Sequence, residues 1–473
     1  MDLGFLKKKF WRGEKAPPRT LGPEPHLVSA PLRIAYHGEL IRLDLGAQCL
    51  WLYPESAARL IPDAPIDDWI LVDPDRFGAD IGGFARIRPG ETLLIGRENE
   101  DLDKMFSFPK SVSKRHLTLS NEGGEIELRP LDTERETYIR GVDAPETLNR
   151  LKVDRLENLQ FVHHVFGGPI ELLPPDNALA TIDRALAVLR DDPYRPKDKA
   201  GLPGALLDLP DALLPVVVGD LHAQIDNLLN ILCTGGLLAG LRDGTLALVL
   251  LGDVVHREDD DGLEEMESSL LMLDLIFKLK IRFPSNVFWL RGNHESFDES
   301  VGKAGVPQGQ ILWRQAKTLR GEAYVQHLAE CFDLLPYVLR SADFIATHAG
   351  PSRMRASLDE LIEIRSHPNL AHELTWNRIM RPSRPAGYTK GDVKSFRKRL
   401  GVAKHTPLIV SHTPRSNHGT VWTNIEGIKN HHVVFSAMNG TVAVMIRVGH
   451  EMIPLEFPVE PLSKFTGDLA LAS

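Results

Sequence analysis

The residues best suited to chemistry follow short apolar runs in the C-terminal half of the chain. Each of five such runs ends in residue types that bind metal ions. These are Asp220, His222, Asp253, Asn293, His348 and His412. In open α/β sheets functional groups gather at the carboxyl ends of strands, so we expect these six side chains to lie close together. A mixed nitrogen and oxygen set without cysteine suits Mn, Fe or Zn better than Ca or Mg.

Each of these residues alone would be weak evidence for a metal site. A lone histidine beside a strand is more often a hydrogen-bonded core residue than a ligand, and Gly-Asp is common in turns. The joint order of all six along the chain is what favours a metal site over six unrelated structural residues.

The elements that must position these groups are strand-like runs that alternate with longer helical stretches. The strand-like runs are 216–218, 246–251, 287–290, 344–347 and 408–410, and a helical stretch covers 263–280. This alternation is typical of an α/β domain, which we place at 211–460.

The N-terminal half has a different pattern, with short alternating apolar runs broken by Gly, Pro, Asp and Asn. Many short strands at such spacing predict a β-sandwich or barrel, in a β-rich region over 26–175. Apolar residues at helical spacing predict a helix over 177–189, and a Pro- and Gly-rich stretch after it predicts a linker, so that 176–210 forms a helix and linker. Residues 1–25 are expected to be a flexible basic tail, rather than a membrane contact, and 461–473 a C-terminal tail.

Composition excludes several classes of protein. At 43% apolar and 25% charged residues over 473 positions, the chain is globular rather than disordered or fibrous. Its three widely spaced cysteines cannot form a disulfide framework, which favours a reducing compartment, the cytoplasm. A formal net charge of −9 argues against nucleic acid as the main partner. No apolar run reaches the roughly 20 residues that a transmembrane segment needs.

The C-terminal motifs resemble the PPP family of metal-dependent protein serine/threonine phosphatases, within the calcineurin-like phosphoesterases. The family order GDxHG, GDxVDRG, GNHE, HGG and a late His corresponds here to GDLHA, GDVVHRE, GNHE, HAG and SHT. The resemblance covers roughly half of the chain and implies a β-sandwich flanked by helices. It also implies two divalent ions, with Mn²⁺ favoured and Fe or Zn as alternatives.

The resemblance assigns roles to individual residues. Asp253 would bridge the two ions, Asp220 and His222 would complete the ligands of one, and the other three predicted ligands those of the second. His294 would protonate the leaving oxygen, and Arg257 would bind the phosphate. A second phosphate-binding arginine corresponds to Arg384 in the family pattern Arg-x4-Thr-x-Gly, with Arg381 and Arg378 as alternatives.

One departure from the family concerns the residue that contacts the general acid, His294. His256 stands where the family has an Asp that holds the acid histidine and raises its pKa. A histidine cannot supply the same fixed negative charge, so either Glu258 or Asp259 is expected to reach the site instead.

The N-terminal motifs resemble a forkhead-associated (FHA) domain, a β-sandwich that binds phosphothreonine peptides, with a core at about 84–172. The motifs are Ile-Gly-Arg ending at Arg97 and Ser-Lys-Arg-His starting at Ser113. The resemblance implies that Arg97 and Ser113, with Lys114 or Arg115, surround a phosphate. The Asn-Gly-Thr of the family is replaced by Arg-Glu-Thr, so a purely structural or docking sandwich stays an equal alternative.

Together these patterns predict a phosphatase whose substrate is a phosphorylated protein and whose FHA-like module docks substrates or phosphothreonine-containing partners. Two alternatives stay open. One is hydrolysis of a dinucleoside polyphosphate or another small phosphoester, and the other is a phosphopeptide-binding scaffold with weakened catalysis.

Overall fold

The computed structural model describes residues 17–61, 68–74, 84–143, 145–416 and 419–465, and the chain divides into two compact units. Within the described residues the first unit ends at Arg150 and the second begins at Leu151. Most of the two predicted tails, 1–16 and 466–473, lies outside the described residues.

The first unit is built from short antiparallel strands. They are β1 (His26–Leu27), β2 (Leu32–Ala35), β3 (Leu40–Leu45), β4 (Gln48–Pro54), β5 (Trp69–Val72), β6 (Phe84–Ile87), β7 (Thr92–Ile95), β8 (Leu117–Asn121), β9 (Glu125–Pro130) and β10 (Tyr138–Val142), and the α-helix α1 (Glu100–Phe106) lies between β7 and β8. One sheet has the order β1-β10-β3-β4-β5-β6, and the other has the order β2-β9-β8-β7.

The predicted period of two is present in these strands. In β8, Leu117 and Leu119 are fully buried, whereas Thr118 and Ser120 between them are half-exposed. Because successive side chains point to opposite faces, each sheet buries one apolar face. The prediction of a β-rich N-terminal fold is confirmed.

The second unit contains the remaining elements. Its helices are α2 (Pro145–Phe166), which spans the division between the units, α3 (Pro175–Arg190), α4 (Ile225–Cys233), α5 (Leu237–Arg242), α6 (Glu267–Arg282), α7 (Gln308–Arg320), α8 (Glu322–Leu334), α9 (Leu358–Ile362), α10 (Pro368–Trp376) and α11 (Lys390–Arg399). Its strands are β11 (Leu206–Asp208), β12 (Leu214–Val218), β13 (Leu246–Leu250), β14 (Val287–Trp289), β15 (Val338–Arg340), β16 (Ile345–Thr347), β17 (Leu408–Val410), β18 (Val421–Trp422), β19 (His431–Val434), β20 (Thr441–Val448) and β21 (Glu451–Pro458).

Two sheets of the second unit share one apolar core. The sheet β14-β13-β12-β20-β21 contributes Val217 and Met445, among others, and the sheet β11-β15-β16-β17-β19-β18 contributes Ala346 and Ile409. On its other side the second sheet packs against α9, α10 and α11. The α/β fold, a β-sandwich flanked by helices, is therefore confirmed.

Strand direction explains why distant motifs can meet. β12, β13 and β14 are parallel neighbours, so their carboxyl ends lie at one edge of their sheet. β16 and β17 are also parallel neighbours. All six predicted metal ligands follow the last residues of these five strands, as functional groups commonly do in such sheets.

The structure differs from the sequence analysis between the two halves. The predicted helix over 177–189 is present as α3, but α2 was not anticipated. Residues 191–210, expected as a linker, are packed into the second unit. Arg195 is buried and donates to the Gly204 carbonyl, and β11 pairs in parallel with β15. Buried hydrogen bonds and strand pairing hold a Pro- and Gly-rich segment that composition alone assigns to a loop.

Among the described residues, no helix combines the length and the apolar character needed to cross a lipid bilayer.

Candidate metal centre

Four donor atoms converge around the ring of His348. Its Nε2 lies 3.0 Å from Asn293 Oδ1, 3.2 Å from Asp253 Oδ2 and 3.2 Å from His412 Nδ1. A single ion bonded to each donor at about 2.1 Å brings neighbouring donors to about 3 Å from one another. These four side chains, all buried, therefore have the spacing of one ligand set.

A second group shares Asp253 with the first. Donor atoms of Asp220, His222 and Asp253 all lie within 4.8 Å of one another, and Asp220 Oδ2 is 4.0 Å from His222 Nε2. The structure thus brings all six predicted ligands together in two adjoining groups, with Asp253 common to both.

The electrostatics of the cluster fit a cation. Burial raises the pKa of Asp220 to about 6, and the like charge of Asp253 adds to this effect. Two buried carboxylates side by side are costly unless positive charge compensates them. Divalent cations supply that charge, so the residues present fit the ions that the family resemblance implies.

The backbone is strained at three of the predicted ligands and at two residues close to them. His222, Ala223, Asp253, His256 and His412 all have positive φ, at 42°, 57°, 50°, 67° and 62°. Side chains other than glycine enter this region only at a cost, and such residues cluster at functional sites. Neither β-strand nor helix patterns in the sequence could indicate these turns.

Ser411 is a site residue that the sequence analysis did not identify. Its buried hydroxyl donates to Asp220 Oδ1 and accepts a hydrogen bond from the Asp220 backbone N–H at 3.0 Å. The His412 N–H donates to Asp220 Oδ2 at 3.0 Å. Both oxygens of Asp220 are therefore oriented by the residues that follow β17. The position of Ser411 directly before a predicted ligand was the only signal in the sequence.

We expect Ser411→Ala to weaken metal binding by about 10–100-fold, because loss of a partner that orients a ligand has effects of this size. Isothermal titration of metal-free protein with Mn²⁺ measures it. Ser341→Ala is the control, since Ser341 is also buried and the hydrogen bonds described for its hydroxyl stay within its own turn, to Phe344. Equal affinities for both variants would contradict the role given to Ser411.

Glu295 fixes the loops that carry Asp253 and Asn293. Its carboxylate accepts hydrogen bonds from the N–H groups of Gly292 at 2.7 Å, and of Asp253 and Val254 at 2.9 Å each. A Cβ at Gly292 would lie 2.3 Å from Asp253 Oδ1, so only glycine fits there. The Gly and Glu of GNHE thus position the ligands.

The predicted acid, His294, contacts His256 as the resemblance implied. The two Nδ1 atoms are 2.9 Å apart, and His256 is fully buried. Burial lowers the pKa of His294 to about 4 and that of His256 well below its usual value. Of the two carboxylates left open by the sequence, Glu258 reaches the site, with Oε1 3.6 Å from His222 Nε2, whereas Asp259 pairs with Arg257.

The arginines are arranged differently from the expectation. Arg257 donates from Nε to Asp259 at 2.9 Å, and no contact with the six ligands is described for its side chain. Arg378, given only as an alternative, reaches the cluster, with Nε 3.1 Å from His412 Nε2. Burial lowers the pKa of Arg378, and the charge of nearby Arg384 contributes. Backbone bonds of Arg384 to Arg381 hold the turn that carries it.

The hydrogen bond from Arg378 has a consequence for His412. If Nε2 of His412 accepts this bond, the proton of the neutral ring is on Nδ1, the atom that faces His348. A protonated nitrogen cannot bind a metal, so metal binding through Nδ1 requires Arg378 to give up this bond.

The FHA-like motifs meet in the first unit. Arg97 Nε donates to the Val112 carbonyl at 2.8 Å, and the Ser113 hydroxyl donates to Asp132. Lys114 is exposed, and exposed Arg115 pairs with Glu98 at 3.0 Å.

His116 is buried and fixes this loop. Its Nδ1 accepts from the Ser113 N–H at 3.2 Å, and its Nε2 lies 2.9 Å from Thr137 Oγ1. Gly96 has φ +147°, and a Cβ there would lie 2.3 Å from the Lys114 carbonyl, which explains the glycine of this motif.

Curated relatives share parts of the chain. A Schizosaccharomyces pombe protein, named provisionally as a serine/threonine-protein phosphatase, is 28% identical over 191 residues, which cover 37% of this chain and 56% of that protein. The serine/threonine-protein phosphatase 4 catalytic subunit of Kluyveromyces lactis is 28% identical over 170 residues, 34% of this chain and 46% of that protein. The chain therefore spans about half the length of these relatives.

A solved structure of a protein serine/threonine phosphatase from Saccharomyces cerevisiae aligns with a TM-score of 0.46 and 20% identity, over 60% of this chain and 90% of that one.

Two family models match the chain, one mostly within the first unit and the other within the second. Residues 93–156 match the FHA domain. Residues 215–453, half of the chain, match the calcineurin-like phosphoesterases and include all six clustered ligands. The chain therefore belongs to the calcineurin-like phosphoesterase family.

Proposed function

We propose that this protein is a phosphoprotein phosphatase that hydrolyses phosphoserine and phosphothreonine esters with two divalent cations. The observation that carries the proposal is the meeting of six buried ligands in two groups that share Asp253, next to His294. The phosphatase names of the curated relatives support the choice of substrate class.

Each of the two ligand groups would hold one cation. Asp220, His222 and Asp253 would hold one, and Asp253 with Asn293, His348 and His412 would hold the other. Nitrogen and oxygen donors favour Mn²⁺, with Fe or Zn as alternatives. When bound, such a pair supplies a water of lowered pKa and neutralises charge on a phosphoryl group.

The other side chains orient the substrate and move its proton. The Nδ1 atom of His294 is hydrogen-bonded to His256, so Nε2 is the atom that would protonate the leaving oxygen. Arg378 and Arg384 carry positive charge beside the His412 group, where they would hold the non-bridging phosphate oxygens. Arg257 would join them only by leaving Asp259.

A substrate panel tests the proposal. Purified protein with Mn²⁺ is offered a phosphothreonine peptide, a dinucleoside tetraphosphate and p-nitrophenyl phosphate, with chelated protein as the control. We expect turnover of the peptide and the aryl ester that is lost on chelation. Preferred cleavage of the dinucleoside would replace the proposed substrate class by small phosphoesters. No turnover of any substrate, with peptide affinity retained, would favour a scaffold.

We further propose that the FHA domain docks phosphothreonine-containing partners or substrates, and that the protein works in the cytoplasm, where its three cysteines stay reduced. The docking proposal rests on Arg97 and Ser113 meeting across one loop.

We expect Arg97→Ala to weaken binding of a phosphothreonine peptide by at least about tenfold, because a charge-assisted phosphate contact is lost. Fluorescence polarisation measures the affinity, with Arg129→Ala as the control, since Arg129 is an exposed arginine on β9. A wild-type domain that binds the phosphorylated and unphosphorylated peptides equally would contradict phosphothreonine docking.

A further inference from the structure

Residues 258–267, which follow β13, form an acidic run, and Glu258 is the one acidic residue of this run for which a contact with the predicted metal ligands is described. Its Oε1 lies 3.6 Å from His222 Nε2, and a carboxylate oxygen lies within 4.8 Å of ring nitrogens of both His222 and His294. The side chain is 33% exposed, so it faces both the ligand cluster and the solvent. A substrate that enters the site therefore meets this carboxylate.

Lys303 fixes the orientation of Glu258. Its Nζ lies 3.3 Å from Glu258 Oε2 and donates to the Glu258 carbonyl at 2.8 Å. Because Lys303 engages Oε2, Oε1 is the oxygen that faces the imidazoles. The pair thus directs its negative end into the site.

The neighbours of Glu258 identify the part of the substrate that it faces. His294 is the proposed donor to the leaving oxygen, and Glu258 is next to it. The two arginines proposed to bind the phosphate lie elsewhere, since Arg378 contacts His412 and is close to Arg384. Lys303 is the cation beside Glu258, but it engages Oε2 and leaves Oε1 as the charged atom that faces the leaving-group side.

We propose that Glu258 is a specificity-determining residue that selects against leaving groups that carry their own negative charge and in favour of those with a positive charge. This inference rests on the proposed function and narrows it. The favoured substrates are phosphorylated residues with basic neighbours, and leaving groups such as nucleoside polyphosphates are disfavoured. The cause is Coulomb interaction at short range in a partly buried site.

Binding of phosphonates tests the inference without turnover. Benzylphosphonate, its 4-aminomethyl derivative and its 4-carboxy derivative share one ring and differ only in charge. Isothermal titration of the Mn²⁺-loaded protein gives their affinities, and kcat/KM for phenyl phosphate, tyramine phosphate and 4-carboxyphenyl phosphate gives the same comparison for turnover. We expect the cationic compound to be preferred over the anionic one in both series.

Three variants distinguish the effect of the Glu258 charge from the effects of neighbouring charges. Glu258→Gln leaves the charge of Lys303 uncompensated. We therefore expect the affinity for the aminomethyl phosphonate, divided by the affinity for the carboxy phosphonate, to fall by at least about fivefold. Lys303→Gln exposes the carboxylate, and we expect the ratio to rise. Glu264→Gln removes an exposed charge from the same acidic run and should leave it unchanged.

The outcomes distinguish the inference from the function on which it rests. Hydrolysis of all three esters with a ratio that Glu258→Gln does not change would overturn the role of Glu258 alone. Absence of hydrolysis would overturn the proposed function, and the phosphonate affinities would still decide whether Glu258 selects by charge. An equal effect of Glu264→Gln would assign the preference to the whole acidic run and overturn the inference. We also expect 0.5 M salt to reduce the preference, since screening is strong for partly exposed groups.

Discussion

Replacing Asp253 by asparagine is expected to abolish hydrolysis, with a larger loss than the about 10²–10³-fold that removal of one charge-stabilising group costs. Asp253 is common to both ligand groups, with Oδ2 3.2 Å from His348 Nε2. Its Oδ1 also accepts a hydrogen bond from the His294 N–H at 2.8 Å. The substitution therefore removes the shared negative charge and replaces one of the two carboxylate oxygens by an amide NH₂, which cannot bind a cation.

Two measurements are needed for this prediction. Metal content per chain should fall below that of the wild type, and kcat with a phosphothreonine peptide should fall with it. Asp343→Asn is the control, because Asp343 forms a surface ion pair with Arg447. Near wild-type turnover by folded Asp253→Asn with full metal content would show that the two groups do not share this residue.

The convergence of the six predicted ligands could be predicted because its signal is local. Each of them follows a buried strand, and parallel strands bring their carboxyl ends to one edge, so residue type and strand order sufficed to bring all six side chains together. The resemblance to the family, and not the strand ends, placed His256 against His294, because the family motif fixes both positions.

The residues that contact the predicted ligands, Ser411 and Arg378, could not be predicted because their contacts join distant parts of the chain. Ser411 meets Asp220 across 191 positions, and Arg378 meets His412 only because the turn after α10 points its side chain back to the cluster. Periodicity gives no information about such turns. Arg384 fitted a family pattern in sequence, whereas Arg378 fitted none and still reaches a predicted ligand.

The division of the chain shows a similar limit. Leu159, Val162 and Phe166 of α2 are buried at helical spacing. Their helical spacing was not enough to predict α2, because polar residues lie among them and a β-rich pattern precedes them. Pro and Gly between 191 and 210 indicated a linker, but β11 at the end of this segment pairs with β15, more than 100 residues later.

Replacing His256 by aspartate is expected to raise turnover of phosphoserine substrates by about tenfold or more, within the 10²–10⁴-fold that general acid catalysis contributes. For His294 to be a charged acid, its Nδ1–H must donate to His256 Nδ1, which leaves a proton on His256 Nε2. That atom is buried and has no hydrogen-bond partner among the described residues. The histidine pair therefore disfavours the charged acid, and burial acts in the same direction, since it lowers the pKa of His294 to about 4.

Aspartate at position 256 accepts the same hydrogen bond and adds negative charge, so it raises the pKa of His294. Because His294 gives up its proton as the pH rises through its pKa, the descending limb of the pH–rate profile should move to higher pH in the variant. The gain should be large for phosphoserine, whose alkoxide leaves poorly, and small for p-nitrophenyl phosphate, which needs little protonation. His256→Asn, which can accept the same hydrogen bond but lacks the charge, is the control and should show a smaller change in both measurements. Unchanged or lower phosphoserine turnover by folded His256→Asp would mean that His256 is no deficit, and that Glu258 already provides the charge that the acid requires.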